Sequence, residues 1–322
     1  MTVRAGIRRS LQAPVHADSS GFALLTVLWV LVGLAALGAA VSVAGGRALH
    51  AARNRVNLTR AAWLAEGCGA SVRAVIGRGF TAARDQEGRG ISHWAGLDRH
   101  VALSPLIVGA NLDYALVPAG RAVNVNSATP SQLRRLFGAM RLGALIADSL
   151  ADAVVDWRDS DEIEGRFGAE GRWYEQRGRL TPRNGPFANV REIGRVRGLE
   201  HLDLVGFLDV EPARISLQHA SRPVLYSLPG FTREVVELVA ARQQRGREVG
   251  SLQEIGAAVS SASRDSIMAN FVPLSQAVTT EPDAWVLTCR ASSGSPPVTA
   301  TVELRLALAG SRVAVVRWRS WP

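Results

Sequence analysis

The sequence contains no lysine, and only two of its 322 residues are cysteines. All 37 basic residues are arginines, a compositional bias from which we draw no functional conclusion. Two cysteines are too few for a disulfide framework. Cys68 and Cys289 either form one disulfide in an oxidising compartment or pack as small residues of a helix and a core strand. The sequence leaves these two alternatives open.

Local catalytic signatures are also missing from the chain. It contains no Gly-x-Ser-x-Gly, no phosphate-binding loop and no zinc-ligand spacing. Its six histidines are scattered, and none belongs to a paired motif. An enzyme would have to assemble its site from residues without any local pattern, so we expect a protein that is not an enzyme.

The net charge of +9 does not come from the middle of the chain. Residues 124–275 contain 19 arginines and 19 acidic residues, so the excess of positive charge lies in the flanking segments. Non-specific nucleic-acid affinity comes mostly from counterion release by uncompensated cations. The electroneutral middle therefore does not favour nucleic-acid binding.

An uncharged apolar run of 25 residues, 22–46, follows a polar leader that carries three arginines. At 1.5 Å per residue this run is long enough to cross a hydrocarbon core of ~30 Å. It is too long for the apolar part of an ordinary secretory signal. No proline interrupts the chain from Phe22 to about Ile76, so we predict one long helix whose first half lies in lipid.

The second half of this helix is predicted to be amphipathic and to pack on a soluble domain. The predicted apolar stripe consists of Leu49, Val56, Trp63 and Ala70 at seven-residue intervals, broadened by Leu64, Cys68, Val72, Val75 and Ile76. A short strand is predicted at Leu112–Val117. Near the end of the chain, Val302, Leu304 and Leu306 alternate with polar residues. This alternation predicts an antiparallel meander with one face to cover.

The middle of the chain has helical signals instead. Thr129 and Pro130 are typical of a helix N-terminus. A second segment contains Leu228-Pro229-Gly230 ahead of another helix, a pattern similar to helix-hairpin-helix modules. In such modules the hairpin amides often bind a nucleic-acid phosphate. Because the segment is electroneutral, we favour a hairpin that only packs two helices.

An acidic segment, Asp148–Glu164, contains seven acidic residues and one arginine, Arg158. Clustered carboxylates repel one another unless something neutralises them. Asp156, Asp159 and Asp161 are close enough in sequence to converge on one Ca²⁺ ion, which prefers oxygen ligands. Salt bridges from Arg158, Arg166 and Arg172 would neutralise the segment equally well, and composition does not separate the two possibilities.

Several features together resemble one known family. They are the leader ending in Gly21-Phe22, the apolar helix, the Asn124–Ala128 motif, the Asp156–Asp161 motif, the Gly168–Glu170 motif and the closing strands. From Gly21 onward the chain is similar to minor pseudopilin K of type II secretion. All type IV pilin-like proteins share the leader, whereas its combination with a helical insert and the acidic motif is much more specific.

The resemblance implies how the chain is processed and located. A prepilin peptidase would cleave between Gly21 and Phe22 and methylate the new amine of Phe22. The protein would cross the inner membrane once, with its N-terminus in the cytoplasm and the bulk of the chain in the periplasm.

The resemblance also implies an α+β fold. This is a type IV pilin-like fold, in which a long N-terminal helix packs on a small antiparallel sheet, with an inserted all-α domain of helix-hairpin-helix or SAM-like type. The expected parts are a leader (1–21), the transmembrane half of the helix (22–46), a first part of the pilin domain (47–123), the inserted domain (124–275) and a second part of the pilin domain (276–322).

Calcium binding by the inserted domain is a further implication, and it favours a metal site over salt bridges in the acidic segment. The predicted ligands are Asp156, Asp159, Asp161 and Glu170. Family members often continue the Gly-Ala-Glu motif with aspartates, whereas Gly171 and Arg172 follow it here. The number of bound ions therefore stays open.

Thr26 would be the fifth residue of the mature chain. Most pilin-like subunits have a glutamate there, which pairs with the N-terminal amine of a neighbouring subunit. A lone carboxylate in a bilayer costs ~2.5–3.5 kcal/mol unless it is paired. A neutral residue thus suits a subunit with nothing ahead of it. Alternatively, the Thr26 hydroxyl only bonds to its own helix.

These inferences predict a non-enzymatic minor pseudopilin at the tip of the type II secretion pseudopilus, which supports pseudopilus assembly and protein export across the outer membrane. The expected partners are minor pseudopilins I and J, other pseudopilus subunits and the prepilin peptidase, and no nucleic acid is expected. The alternative is a minor pilin of a DNA-uptake or adhesion pilus whose hairpins bind nucleic acid.

Overall fold

The computed structural model describes residues 20–87, 90–97, 111–204 and 206–321. The predicted leader lies almost wholly outside these residues. The chain divides into two compact units, the first ending at Asn57 and the second beginning at Leu58.

The first unit is helical throughout its described part. Helix α1 begins at Ser20 and extends to Glu87. The side chains from Phe22 to Gly45 are all exposed. Among the described residues, α1 is the helix that is long and apolar enough to cross a membrane. The Thr26 hydroxyl donates to the carbonyl of Ala23 at 2.8 Å, so this side chain does bond to its own helix.

The second unit contains a four-stranded antiparallel sheet. Its strands are β1 (Asn111–Pro118), β6 (Ala284–Ser293), β7 (Val298–Ala309) and β8 (Arg312–Trp321), and they lie in the order β1-β6-β7-β8. The predicted strands are confirmed, and Val302, Leu304 and Leu306 are buried on one face as the alternation indicated. The β1–β6 pairing joins strands from the two ends of the second unit.

Helix α1 covers the apolar face of this sheet with a stripe of mostly small residues. The stripe consists of Ala61, Ala65, Cys68, Val72, Ile76 and Phe80. The predicted seven-residue series is wrong, because Trp63 is 70% exposed and Ala70 is also exposed. Small residues face the sheet because the helix lies very close to it. A Cβ added at Gly69 would lie 3.0 Å from Leu304.

Two tryptophans close one end of this core. The short helix α2 (Gly90–Ala95) places Trp94 beside Trp285 of β6, and both indoles are buried. The Trp94 indole donates to the carbonyl of Pro282 at 2.8 Å, and the Trp285 indole donates to the carbonyl of Trp94 at 3.0 Å. Both buried N–H groups are therefore satisfied, as burial of a polar group requires.

The middle of the chain, between β1 and β6, is mainly helical. Its helices are α3 (Pro130–Ala139), α4 (Ala144–Arg158), α5 (Gly171–Glu175), α6 (Val190–Ile193), α7 (Arg222–Tyr226), α8 (Arg233–Gln244), α9 (Leu252–Ala257), α10 (Ser261–Ala269) and α11 (Phe271–Ala277). They enclose a second hydrophobic core made of residues between Val123 and Val278. This core shares no buried residue with the one beneath the sheet.

Short parallel strand pairs lie at the ends of the helical region. They are β2 (Val123–Asn124) with β3 (Leu208–Asp209), and β4 (Ile215–Ser216) with β5 (Val278–Thr279). The helical region thus begins at β2 and ends at β5, close to the predicted insertion limits of 124 and 275. The exact domain limits stay a prediction.

Helix α3 begins as its sequence predicts. The Thr129 hydroxyl accepts a hydrogen bond from the amide of Gln132 at 3.1 Å, and Pro130 occupies the first turn. A side-chain cap of this kind satisfies one of the amides that the first turn leaves without a helical partner.

The Leu228-Pro229-Gly230 hairpin connects α7 to α8 and packs on α10. Gly230 has a φ of +76°, and a Cβ at this position would lie 2.5 Å from the carbonyl oxygen of Ser266. Leu228 and Phe231 on either side are buried. The hairpin therefore joins helices in the core, as the packing interpretation expects.

We expect Gly230→Ala to destabilise the protein by about 1–3 kcal/mol, because the new Cβ meets backbone and φ is unfavourable for an L-residue. Urea unfolding followed by tryptophan fluorescence measures the change. Gly246→Ala is the matched control, since Gly246 also has a positive φ (+65°) but no atom within 4 Å of the added Cβ. Equal losses for the two variants would contradict the close-packing argument.

Candidate metal centre

The candidate site lies where helix α4 ends and the chain turns back toward α5. Asp156 is in the last turn of α4 and is buried. Both of its carboxylate oxygens accept hydrogen bonds from the amide of Gly165, at 3.1 and 3.2 Å. Asp152, one turn earlier, accepts from the amide of Phe167 at 3.2 Å. Two aspartates of α4 therefore hold the returning loop against the helix.

This close approach requires glycine in the loop. A Cβ at Gly168 would lie 1.8 Å from a carboxylate oxygen of Asp156, and a Cβ at Gly165 would lie 2.9 Å from the other. The close approach of Asp156 therefore explains why the Gly168-Ala169-Glu170 motif begins with glycine, which the sequence alone did not indicate. The spacing of glycines between Glu164 and Glu170 was the available signal.

The folded loop brings three of the four predicted ligands together. One carboxylate oxygen from each of Asp159, Asp161 and Glu170 lies within 4.8 Å of the others. Asp159 is the first residue beyond α4, and Glu170 immediately precedes α5. Asp156 is not a member of this group. Its role as a ligand stays a prediction.

Several oxygens at the site are buried without a partner among the described residues. They are both carboxylate oxygens of Glu170 and one of Asp159. Glu170 is only 4% exposed. A buried ionised group without a partner is costly, so these oxygens need either a cation or a proton to offset their charge.

Burial and mutual repulsion also shift the pKa values here. Burial, reinforced by the charges of Asp156 and Asp159, raises the pKa of Glu170 to about 7. Burial raises the pKa of Asp156 to about 6, although hydrogen bonds from loop amides oppose the shift. The pKa of Asp159 is raised as well, first by burial and then by Asp161. In all three groups burial and neighbouring carboxylates outweigh the opposing contributions to the pKa, which for Asp159 include the charge of Arg158.

The three nearby arginines do not neutralise these carboxylates by direct pairing, and the charge of Arg158 offsets the raised pKa of Asp159 only in part. Arg158 donates to the backbone carbonyls of Val125 and Ala128, the latter at 2.6 Å, and Arg166 lies over the ring of Phe167. In the part of the chain that the structure describes, no salt bridge joins Arg158, Arg166 or Arg172 to the three carboxylates. The geometry thus supports the metal alternative over the salt-bridge alternative.

The site rests on a rigid aromatic base. Trp157, next to Asp156, is buried between Tyr174 and Phe187, with ring centroids 5.2 and 6.3 Å away. Its indole donates to the carboxylate of Glu192 at 3.3 Å. On the outer side, the side-chain amide of Asn184 donates to Glu162 at 2.7 Å. The loop that carries the carboxylates is therefore held by packed aromatic side chains and hydrogen bonds.

This arrangement suits a hard cation. Ca²⁺ takes several carboxylate and carbonyl oxygens on an irregular loop, whereas zinc sites usually contain cysteine or histidine. The site contains neither of those residues. Asp159, Asp161 and Glu170 are the residues that would hold the ion.

Residues 111–204, which include the whole acidic segment, match the family described as type II secretion system (T2SS), protein K. Over this part of its length the chain is similar to that family. No curated protein matches the chain.

A solved structure is similar to this chain over most of its length. It is a chain in the crystal structure of the GspK-GspI-GspJ complex from the type 2 secretion system of enterotoxigenic Escherichia coli. The two share 17% identity with a TM-score of 0.58, over 81% of this chain and 96% of that chain. This likeness confirms the predicted α+β, pilin-like fold.

Proposed function

We propose that this protein is a non-enzymatic subunit at the tip of a type II secretion pseudopilus, where it supports pseudopilus assembly and protein export. The observation that carries the proposal is the large helical region between β1 and β6 of a pilin-like sheet. Such a region is too bulky for a subunit surrounded by others in a shaft, whereas a terminal subunit has room for it. The related GspK chain is part of a complex with GspI and GspJ, which supports minor pseudopilins I and J as partners.

We also propose that the apolar part of α1 anchors the chain in the inner membrane, with the second unit in the periplasm. Cleavage by a prepilin peptidase between Gly21 and Phe22, followed by methylation, would precede assembly. An intact mass that begins at methylated Phe22 supports this step, and a purified chain that retains Met1 contradicts it. In the mature chain, Thr26 would place no charge in the bilayer, as a leading subunit requires.

Calcium is proposed as a structural ion of the helical region. Asp159, Asp161 and Glu170 supply the carboxylates, and Asp156 lies beside them with its oxygens already bonded to a loop amide. The ion would neutralise the buried charges and fix the loop between α4 and α5.

Co-purification tests the tip assignment. The full-length chain is co-expressed with candidate I and J subunits and isolated in detergent, with calcium or with a chelator. We expect a complex of three subunits in calcium. Failure to form it in calcium would overturn the proposed position, and a complex that survives chelation would show that the ion is not required for assembly.

The DNA-uptake alternative predicts a different result. Salt-dependent DNA binding by the full chain, lost when the Leu228-Pro229-Gly230 hairpin is mutated, would favour it. The electroneutral helical region and the packing of Gly230 on α10 argue against this outcome.

A further inference from the structure

The two cysteines of the chain meet in the core beneath the sheet. The sulfur of Cys68, on α1, lies 2.6 Å from the sulfur of Cys289, on β6. The residues are separated by 221 positions in sequence. No other cysteine is present to pair with either of them. The fold therefore brings the only two thiols of a long chain into direct contact.

Their surroundings hold this pair in place. Cys68 is 4% exposed and Cys289 is fully buried. Cys289 lies in a central strand, opposite Tyr114 of β1 and Val302 of β7. On the helix, Gly69 follows Cys68 and allows α1 to approach β7 closely. Neither sulfur can turn toward solvent without displacement of α1 from the sheet.

We propose that Cys68 and Cys289 form a disulfide that ties helix α1 covalently to the centre of the sheet. This inference rests on the proposed periplasmic location of the second unit, because disulfides form and persist in oxidising compartments. The bond would preserve the contact between α1 and the sheet, which otherwise depends on a narrow stripe of mostly small side chains.

The bond must form before the core closes. When the Cys289 thiol donates to the sulfur of Cys68, this hydrogen bond, together with burial, raises the pKa of Cys289, and the same hydrogen bond lowers the pKa of Cys68. Burial of both sulfurs keeps an external oxidant away from them once the core has closed. During folding, the thiolate of one cysteine attacks the disulfide of a thiol oxidase or of oxidised glutathione and releases one thiol. The thiolate of the other cysteine then attacks this mixed disulfide and releases the second thiol. The oxidant gains the two electrons that the cysteines lose, and one disulfide is exchanged for another.

Mass spectrometry tests the bond directly. The full-length chain is produced with export of its second unit, quenched in acid, denatured and treated with a maleimide. We expect no maleimide addition and a mass two hydrogens lower than that of the reduced chain. We also expect tryptic peptide 61–73, which contains Cys68, to be linked to peptide 265–290, which contains Cys289. Two labelled cysteines would overturn the proposal for the native protein.

If no disulfide is found in the protein from cells, refolding of the reduced chain with oxidised glutathione distinguishes a wrong cellular location from a wrong pairing of the cysteines. A bond that forms in this mixture but not in cells would contradict the periplasmic location. Absence of the bond in both would overturn the proposed pairing itself.

Thermal unfolding supplies an independent measurement. We expect a reductant to lower the unfolding midpoint of the wild-type chain by about 5–15 °C, because reduction frees a long loop in the unfolded state. Cys68→Ala/Cys289→Ala is the control, and its midpoint should not respond to reductant. A wild-type midpoint that is equally unresponsive would count against the disulfide.

Discussion

Addition of calcium to the full-length protein in detergent is expected to raise its unfolding midpoint by about 5–11 °C, and Glu170→Gln is expected to abolish this increase. An ion that binds only the folded state stabilises it by ~2.7 kcal/mol at 100 times its Kd. For a domain of this size, 1 kcal/mol corresponds to about 2–4 °C. Differential scanning calorimetry with calcium and with a chelator measures the shift.

Glu170 is the decisive position because it contributes more buried carboxylate oxygens without a hydrogen-bond partner than any other described residue of the site. Both of its carboxylate oxygens are buried and unpartnered, whereas Asp161 is exposed and accepts a hydrogen bond from the amide of Ile163. Glutamine has nearly the same shape but lacks the charge that attracts the cation. The variant should therefore fold and fail to respond to calcium.

Glu175→Gln is the matched control, since Glu175 is exposed and lies only five residues further along the chain. It removes the same charge without removing a ligand, so its midpoint should rise with calcium as the wild type does. A Glu170→Gln variant that responds fully to calcium would contradict the proposed ligand set. So would a wild type that shows no binding heat by titration calorimetry.

The strands and the start of α3 were predictable because their signals are local. Alternation along β7 directly identifies the buried face, and Thr129 followed by Pro130 is a strong helix-start signal. The face of α1 was not predictable in the same way. The expected series placed Trp63 toward the sheet, but near Gly69 the helix lies so close to Leu304 that the neighbouring buried positions are small residues such as Ala65 and Cys68.

The carboxylate cluster of the candidate site was predictable in its location but not in the contacts of each residue. Asp156, Asp159 and Asp161 look equivalent in sequence. Their roles differ because α4 continues through Arg158, which leaves Asp156 on the helix and Asp159 beyond its end. Helix ends are uncertain by one or two residues even in structures. A shift of that size decides whether an aspartate accepts hydrogen bonds from loop amides or lies in the carboxylate cluster with Glu170.

The contact between Cys68 and Cys289 required the full topology. The sequence indicated a helix for one residue and a strand for the other, but no local pattern specifies their register. That register follows from packing of α1 over β6 and β7, which depends on Gly69 and on Leu304 together. Non-local contacts of this kind are determined by the whole core rather than by any segment.

In the presence of chelator, the protein should lose stability as the pH rises from about 4 to about 8. The pKa of Glu170 is raised to about 7 and that of Asp156 to about 6, both above the ordinary values for these groups. Between the ordinary and the raised pKa values, the folded state binds more protons than the unfolded state. The free energy of unfolding therefore decreases with rising pH across this window and is constant above it. We expect a total loss of about 3–6 kcal/mol, between the contribution of one such group and the sum of both, since one pKa unit corresponds to about 1.36 kcal/mol and the two groups are coupled.

Urea unfolding of the full chain at a series of pH values measures this profile. Other titrating groups contribute to it, so the informative quantity is the difference between wild type and Glu170→Gln. In chelator this difference should grow in favour of the variant as the pH rises toward about 8, because only the wild type ionises a buried carboxylate at position 170 there. In saturating calcium it should reverse, since the ion stabilises the ionised form. Glu175→Gln should follow the wild type in both conditions. Parallel profiles for wild type and Glu170→Gln would show that ionisation of Glu170 does not destabilise the folded state. This result would contradict the prediction, which rests on the buried, unpartnered oxygens of Glu170.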